Sequence, residues 1–449
     1  NPGALGFIEE PDISVSGNLY GYRYFKLENG LGPEVDVFTG GYLLYPQMLS
    51  SVFKLGKENP WYINFNWLTR NNAFKIINER YEQDYDVIPT LDGIEHFSVS
   101  LDYFQELSEQ WVGIGTGRKI GDHWSVGLSV FGTYRWQLNR FEQVAEAYPQ
   151  TDFVTLPNGD LQPWHVASST AMQRVQFENF QVIAKAGLAY EKDQWKVGLT
   201  VTAPSINLNT SLLELGYVTR DQRQQNLGKP YDLAEIFTKG LFDYRVSDKQ
   251  KNLPTNHKKP LSIGFGLERE FGRDRIMFAC EYFFPIETYA VIRGEQRADL
   301  INPPFLQPLL DRPNYMTIYE QNKAIFNWGL SYEYMLDNGI SVHGGFRTDG
   351  SYHESDYSEE WEGAMDLLPF PVDFLHFNAG FSTPTKAGEF TLSFHYAHGM
   401  MDDKEPILNM VDVIDHNEET GENMRGTQPA ETELTHFQIN MVIGYTHIF

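Results

Sequence analysis

Hydrophobic and polar residues alternate with a period of two along most of this chain, most regularly at its C-terminal end. In LTHFQINMVIGYTHIF (434–449) one phase is apolar and aromatic, and the other is mostly small or polar. Successive side chains of a β-strand point to opposite faces, so this alternation predicts a strand with one apolar face. The pattern recurs at 124–138, 324–336 and 390–397. The sequence therefore predicts an all-β protein.

Short and long connections alternate between the predicted strands. A first strand is predicted at 13–27, and the later strands form hairpins whose turns are tight and polar, four of the six containing Gly together with Asp or Asn. The predicted hairpins are 46–57 with 60–72, 109–120 with 123–139, 174–190 with 195–212, 259–271 with 275–293, 321–335 with 340–350, and 372–384 with 389–401. The long connections are 73–108, 141–173, 213–258, 294–320, 352–371 and 402–433.

This alternation is typical of a transmembrane β-barrel, which has short periplasmic turns and long extracellular loops. We predict about fourteen antiparallel strands, with residues 1–12 as a short N-terminal luminal element and 13–449 as a single barrel. A soluble β-sandwich or propeller would also alternate. The strand lengths, the closing aromatic residue and the loop asymmetry favour the membrane barrel.

Composition agrees with a barrel and excludes several other classes. Aromatic residues make up 14% of 449 residues although the mean hydropathy is −0.40, as expected when half of each strand faces lipid and half faces water. No apolar run is long enough for a membrane-spanning helix. The net charge of −25 argues against a nucleic-acid partner. Cys280 is the single cysteine and fits no zinc pattern, so no cofactor is predicted.

The last strand ends on Phe449, with Tyr445 and His447 in the same phase. This ending resembles the terminal strand of bacterial outer-membrane barrels, whose closing aromatic residue is read by the barrel-assembly machinery. The resemblance implies the outer membrane of a Gram-negative bacterium, with that machinery as a partner.

Several stretches resemble the FadL/TodX-type outer-membrane channels for hydrophobic compounds. Asn1, Pro2 and Gly3 look like the start of that family's N-terminal motif, and YPQMLSSVFKLGKENPWYINFNWL (45–68) looks like its second and third strands. The phrases WVGIGTGRKIGDHWSVGLSV (111–130) and WKVGLTVTAP (195–204) are similar to its hairpins. The resemblance implies passive uptake of a hydrophobic small molecule such as a long-chain fatty acid. In the family an N-terminal hatch plugs the lumen and a kinked strand opens a side exit.

The sequence departs from that family in two places. Only about a dozen residues precede the first strand, so a full hatch is missing or lies upstream of Asn1. The third strand contains neither Gly nor Pro where a kink is expected, whereas Pro204 and Pro285 interrupt later strands. Proline removes a ladder donor, so each proline marks either a local opening or a strand end that bends above the membrane.

The strand phases place ionisable and aromatic side chains inside the barrel. Arg135, Lys185 or Arg347 could anchor a carboxylate by charge-assisted hydrogen bonds, with Phe131 and Phe283 along the path. The alternative is a neutralising luminal network, because buried charges are ordinarily paired. Its further members would be Glu268, Glu281, Glu333, His343 and His395.

No metal site or catalytic motif is predicted. His343, His395 and His398 come from different strands without ligand-type spacing, and no nucleophile elbow or phosphate-binding loop stands out. The protein is therefore not predicted to be an enzyme.

The long loops favour a second function. The 352–371 and 402–433 loops are strongly acidic and could share divalent cations with lipopolysaccharide, or simply remain solvated. The 402–433 loop and PFLQPLL (304–310) are also apolar, and such patches need cover from neighbouring loops or another outer-membrane protein. Uptake of hydrophobic molecules is the first prediction. The alternative is a non-transporting subunit of a larger outer-membrane complex.

Overall fold

The computed structural model describes residues 1–57, 60–89, 93–150, 153–155, 158–163, 166–208, 215–227, 238, 240–295, 301–302, 314–354, 365–366, 372–404, 407–417, 423–427 and 431–449.

Within these residues, fourteen antiparallel strands form one closed barrel, which confirms the predicted fold class. Each strand pairs with its neighbours in chain order, and the last strand closes the barrel against the first. The strands are β1 (Asp12–Glu28), β2 (Val37–Leu55), β3 (Trp61–Tyr85), β4 (Glu95–Ile120), β5 (Trp124–Pro149), β6 (Ala167–Lys192), β7 (Trp195–Thr202), β8 (Ser262–Phe271), β9 (Asp274–Phe283), β10 (Ile325–Met335), β11 (Ser341–Asp349), β12 (Asp373–Thr385), β13 (Gly388–Lys404) and β14 (Thr432–Ile448).

The outward face of the lower barrel is an exposed apolar belt. Val112, Ile114, Leu128 and Val130 are exposed there, while the opposite phase of the same strands is mostly buried and consists of small and aromatic residues. An apolar outer band with a polar interior is the arrangement of a barrel that spans a membrane. Among the described residues no helix is long and apolar enough to cross a bilayer.

Several strands continue far above this belt, so the predicted loops 73–108 and 141–173 are wrong over most of their length. β3 and β4 meet at Tyr85 and Glu95, and β5 and β6 reach Pro149 and Ala167. β2 likewise begins at Val37, nine residues before its predicted start. The upper part of β4 still alternates, because Phe97, Val99 and Leu101 face the packed mouth while Ser98 and Ser100 lie between them. The period-two signal was therefore present, and the error was to end the predicted strands too low.

On the opposite side the barrel ladder stops near the top of the belt. β7 and β8 last pair at Thr202 and Ser262, so the predicted strand 195–212 is interrupted. The predicted connection 213–258 contains two further strands that continue the wall along β6, Gly216–Gln225 and Tyr244–Leu253. The upper part of the predicted strand 275–293 leaves the barrel and forms a separate sheet. That sheet contains Ile286–Ile292, Ile318–Asn322 and Met365–Asp366.

A packed apolar core fills the extracellular mouth. The last long loop supplies Leu408, Met410 and Val413, all at most 2% exposed. They pack with Phe25, Leu27, Ile77 and Phe97 from the upper barrel wall. The described apolar residues of this loop are thus covered by the chain itself. The predicted 304–310 patch lies outside the described residues.

Candidate functional site

The N-terminal segment lies inside the barrel as a short 3-10 helix, Pro2–Phe7. Asn1 caps this helix, because its side-chain oxygen accepts a hydrogen bond from the Gly3 backbone N–H at 2.9 Å. The Asn1 amide also donates to the Leu188 carbonyl of β6 at 3.0 Å. The predicted N-terminal motif therefore contacts the inner wall.

Glycines in three adjacent strands make room for this helix. Gly117 pairs with Gly127, and Gly127 pairs with Gly187, so the three form a track across β4, β5 and β6. A Cβ at Gly127 would overlap the Pro2 carbonyl, and one at Gly187 would lie 2.5 Å from the Gly3 nitrogen. The track thus allows the close backbone approach that seats the helix.

Charged side chains line the lumen between the N-terminal helix and the filled mouth, and we call this part of the lumen the chamber. Lys185 is close enough to Glu281 and Arg70 to be influenced by their charges, and Arg70 also acts on Lys259 and Asp349. The Lys185 ammonium lies 5.6 Å from the centre of the Trp111 ring.

Arg347, predicted as a carboxylate anchor, is 55% exposed within this lumen and lies 3.9 Å from Asp349. Among the described residues, no carboxylate lies within hydrogen-bond distance of the Lys185 ammonium or the Arg347 guanidinium. Both cations can therefore bind an anion in the chamber.

Arg135, in contrast, is fully engaged. It is 2% exposed, with its guanidinium 3.2 Å from Glu109 and 2.7 Å from the Gln137 side-chain oxygen. Glu109 also accepts hydrogen bonds from Lys259 at 2.9 Å and from Trp111 at 2.6 Å. Of the three predicted anchors, Arg135 therefore belongs to a buried ion-paired network.

The Lys259 end of this network lies above the belt, where the segment between Leu253 and Ser262 turns inward. Burial, with the charges of Arg135 and Lys259, lowers the pKa of His257 well below its usual value. Burial also raises the pKa of Glu320, although Arg135 opposes the shift, and it raises the pKa of Tyr352 to about 12. Burial therefore favours the neutral forms of these three side chains, which surround the ion-paired group of Arg135, Glu109 and Lys259.

The remaining predicted residues of the wall divide by height. Glu268 and Glu333 lie near the periplasmic end, where Arg275 contacts both, at 3.4 Å and 3.2 Å. Glu281 accepts a hydrogen bond from the Ser262 hydroxyl at 2.6 Å. All three glutamates are thus engaged with neighbouring strands of the wall, Glu268 and Glu333 by ion pairs and Glu281 by a hydrogen bond.

The predicted aromatic residues occupy the inward phase of their strands. Phe131 packs 5.5 Å from Trp111 and is buried, whereas Phe283 is half-buried at the top of β9. These positions agree with wall packing for Phe131.

The luminal histidines form hydrogen-bonded pairs. His395 lies 2.9 Å from both His376 and Asn440, and His343 lies 2.9 Å from the Ser393 hydroxyl. Within the described part of the chain, no group of three or more His, Cys, Asp or Glu side chains is arranged to hold a metal ion.

The C-terminal strand is paired on both sides, and its last residues lie at the lower rim of the belt. Tyr445 pairs with Val15, the rings of His447 and Phe449 lie 4.9 Å apart, and Phe449 is 66% exposed. Its role as an assembly signal stays a prediction.

The barrel wall is unpaired between the upper parts of β2 and β3. Their ladder ends where Met48 pairs with Leu68. Above that point β2 pairs with β1, and β3 pairs with β4. Among the described residues no backbone ladder joins 37–47 to 69–85. We call this gap the seam.

Two residues explain the start of the seam. Pro46 has no backbone N–H for the ladder, and its carbonyl accepts a hydrogen bond from the Thr69 hydroxyl at 2.8 Å. Arg70 is skipped in the pairing of β3 with β4, which makes it a β-bulge. The charge of Arg70 acts on Lys185, so the seam begins at the level of the chamber.

Side chains close the inner side of the seam. Arg23 of β1 donates to the Asn72 carbonyl of β3 at 2.5 Å, passing behind β2. Lys75 of β3 lies 5.2 Å from the centre of the Phe25 ring of β1. The wall is thus held by movable side chains where backbone bonds are missing.

The ladder is also interrupted at both prolines singled out in the sequence. Beyond Pro204, the Ser205 N–H donates to the Lys259 backbone carbonyl at 3.1 Å. His257 turns inward, and its backbone carbonyl accepts a hydrogen bond from the Gln181 amide at 2.6 Å. Beyond Pro285 the strand joins the separate upper sheet. A cavity of about 420 Å³ lies between these segments. It is lined by Pro254, Asn256, Thr288, Tyr289, Ala290, Val291 and Arg293.

Sequence reasoning missed Glu109, Lys259 and Arg70. The first two are the first residues of the predicted strands 109–120 and 259–271, and neither was assigned to the inward phase. Arg70 lies on a bulge, which periodicity cannot detect. The available signal was Pro46, on the strand next to the one searched for a kink.

Known structures share this fold. The Pseudomonas putida toluene transporter TodX gives a TM-score of 0.56 at 13% identity, covering 100% of this chain and 92% of that chain. A Pseudomonas aeruginosa FadL homologue gives 0.50 at 12% identity, covering 99% and 92%. No protein-family model and no curated protein matches the sequence. The resemblance is confirmed at the level of the fold.

Proposed function

We propose that this barrel, which has the fold of the FadL-type channels, takes up or binds hydrophobic molecules that carry a carboxylate, such as long-chain fatty acids. One observation carries the proposal: the seam begins at the Arg70 bulge, in a wall whose lumen is also lined by Lys185 and Arg347. An amphiphile could place its carboxylate between these cations and its alkyl chain in the seam. Transfer of an alkyl chain from water to lipid lowers its free energy. Lateral movement through the seam therefore requires no other driving force.

The seam can be tested by restoring its ladder. Pro46→Val combined with deletion of Arg70 supplies the missing donor and removes the extra residue of the bulge. We expect uptake of labelled fatty acid into proteoliposomes to fall several-fold. Pro384→Val, in β12 beside a periplasmic turn, is the matched control. Unchanged uptake by a barrel whose upper β2 and β3 amides have become protected from exchange would refute a route through the seam.

The filled mouth favours a second candidate, a non-transporting subunit of an outer-membrane complex. Leu408, Met410 and Met424 close the extracellular end by packing against the upper wall. The acidic loops would then face lipopolysaccharide or a partner protein of a Gram-negative cell envelope. Mild-detergent purification from native membranes, with mass spectrometry of proteins and lipids, separates the two. A barrel that carries stoichiometric fatty acid supports uptake, whereas stable co-purifying proteins without bound lipid support the subunit.

A further inference from the structure

The outward apolar surface is much taller beside the seam than on the opposite side of the barrel. On β2 the exposed apolar side chains continue upward from Phe53 through Leu44 and Tyr42 to Phe38. Residues 37–53 contain no charged side chain. On β3 the outward Phe74 and Ile76 are also exposed. We call these upper residues, Phe38, Tyr42, Leu44, Phe74 and Ile76, the collar.

Positions at equal height on the far side are polar. Tyr42 lies thirteen residues above the lower end of β2, and Phe74 lies thirteen above the lower end of β3. Glu287 and Lys323 are exposed where the chain has left the barrel ladder, beyond the top of β9 and before the top of β10. The outward apolar surface therefore ends lower on this side than at β2 and β3.

The collar is too high for a bilayer that meets the barrel at one level. Strands rise about 3.3 Å per residue and tilt near 40°, so thirteen residues correspond to roughly 33 Å along the barrel axis. The usual apolar band is about 25 Å tall. Tyr42, Leu44 and Phe38 are 72%, 76% and 64% exposed, and a surface of this kind is rarely left in water.

We propose that lipid of the outer leaflet covers the collar, so that the bilayer edge is higher at β2 and β3 than at β9 and β10. The occupant is lipid because on β2 the collar is continuous with the belt below. Tyr20, Tyr22 and Tyr42 also form a chain of ring contacts at 5.6 Å and 5.3 Å beside it, and tyrosine is enriched where a membrane meets water. Tilting of the barrel in the bilayer would cover the collar with lipid at a modest cost in free energy. The seam then opens into lipid.

The proposal is tested by accessibility at matched heights. Single cysteines at Tyr42, Phe74, Glu287 and Lys323, in a Cys280→Ser background, are labelled with a nitrobenzoxadiazole fluorophore in proteoliposomes. Leu128 in the belt and Arg80 near the top of β3 are the lipid and water references. Quenching is measured with doxyl-labelled phospholipid and with aqueous iodide. Labels at Phe38 and Leu44 replace any collar label whose barrel loses its heat-dependent shift in electrophoretic mobility.

We expect the two collar labels to follow Leu128, with strong quenching by lipid and weak quenching by iodide. The labels at Glu287 and Lys323 should follow Arg80. Iodide quenching at all four positions would overturn the proposal. Protection of the collar labels from both quenchers would also overturn it, because the occupant would then be a protein. Neither outcome depends on transport, so this test can fail while the proposed function holds, and the reverse.

Discussion

The Lys259 ammonium lies 2.9 Å from the Glu109 carboxylate, although 150 residues separate them and they lie on different parts of the barrel wall. The contact fastens the inward-turning segment above β8 to β4. It also completes a group in which one buried carboxylate contacts two cations, Lys259 and Arg135.

Glu109→Gln should therefore destabilise the barrel. Removing one partner leaves buried charges uncompensated, at a cost of about 3 kcal/mol. We expect a lower midpoint in urea, followed by the fluorescence of Trp111 and by electrophoretic mobility. The double variant Glu109→Gln with Lys259→Met should recover part of the loss. A double variant no more stable than Glu109→Gln would show that Lys259 is not the coupled partner.

Glu320 should make stability depend on pH. Burial raises its folded pKa above its unfolded value, so its contribution is fully present below the unfolded pKa and is lost as pH rises through the folded pKa. Glu320→Gln keeps a neutral side chain near the Tyr289 hydroxyl and should flatten this decline between acid and neutral pH. Thermal midpoints of both proteins across that range provide the measurement. Parallel curves would contradict the prediction.

Glu320→Ala tests the same contact from the other side. The buried Tyr289 hydroxyl loses the carboxylate that accepts its hydrogen bond, which should cost about 1–3 kcal/mol. Urea unfolding at acid pH, where the carboxyl is protonated, isolates the lost hydrogen bond from the charge.

Gly187→Ala should displace the N-terminal helix. The new Cβ would overlap Asn1 and the Gly3 nitrogen, so the helix must leave the glycine track. We expect higher conductance in planar bilayers and faster proteolysis of the N-terminal segment. Gly266→Ala is the control, because the nearest atom to its Cβ is 4.0 Å away. Equal conductance of the two variants would show that the helix does not limit the pore.

Lys185→Met and Arg70→Gln should each weaken binding of a fatty acid. A hydrogen bond to a charged group contributes about 1.5–3 kcal/mol, which corresponds to roughly 10- to 100-fold in Kd. A fatty alcohol of equal length should bind all variants alike, since it carries no carboxylate. Lys192→Gln, at the periplasmic end of β6, is the control. An equal loss for alcohol and acid would mean that the substitutions disturb the chamber itself.

The sequence predicted the barrel where lipid imposes a rule. In 124–138 every second side chain faces hydrocarbon. The alternation of Val126, Leu128 and Val130 with small residues therefore indicates both a strand and the face that points outward. The number of strands followed from the short turns. Both inferences rest on local chemistry that a single chain displays.

The rest depends on partners that are distant in sequence. The seam requires Pro46 on one strand and a bulge at Arg70 on the next, and a bulge is visible only through the register of pairing. Arg135 was correctly placed inside the barrel. Whether it meets a ligand or Glu109 is decided by a different strand.

The upper barrel gives this protein a second source of stability. In the belt, apolar side chains exchange one hydrocarbon neighbour for another when the wall unfolds in a membrane, so they contribute little. Phe25, Ile77, Phe97 and Met410 are instead withdrawn from water, as in a soluble domain. The extracellular half should therefore stay folded after detergent has replaced the bilayer, and it should melt with the large heat-capacity change of a water-soluble protein.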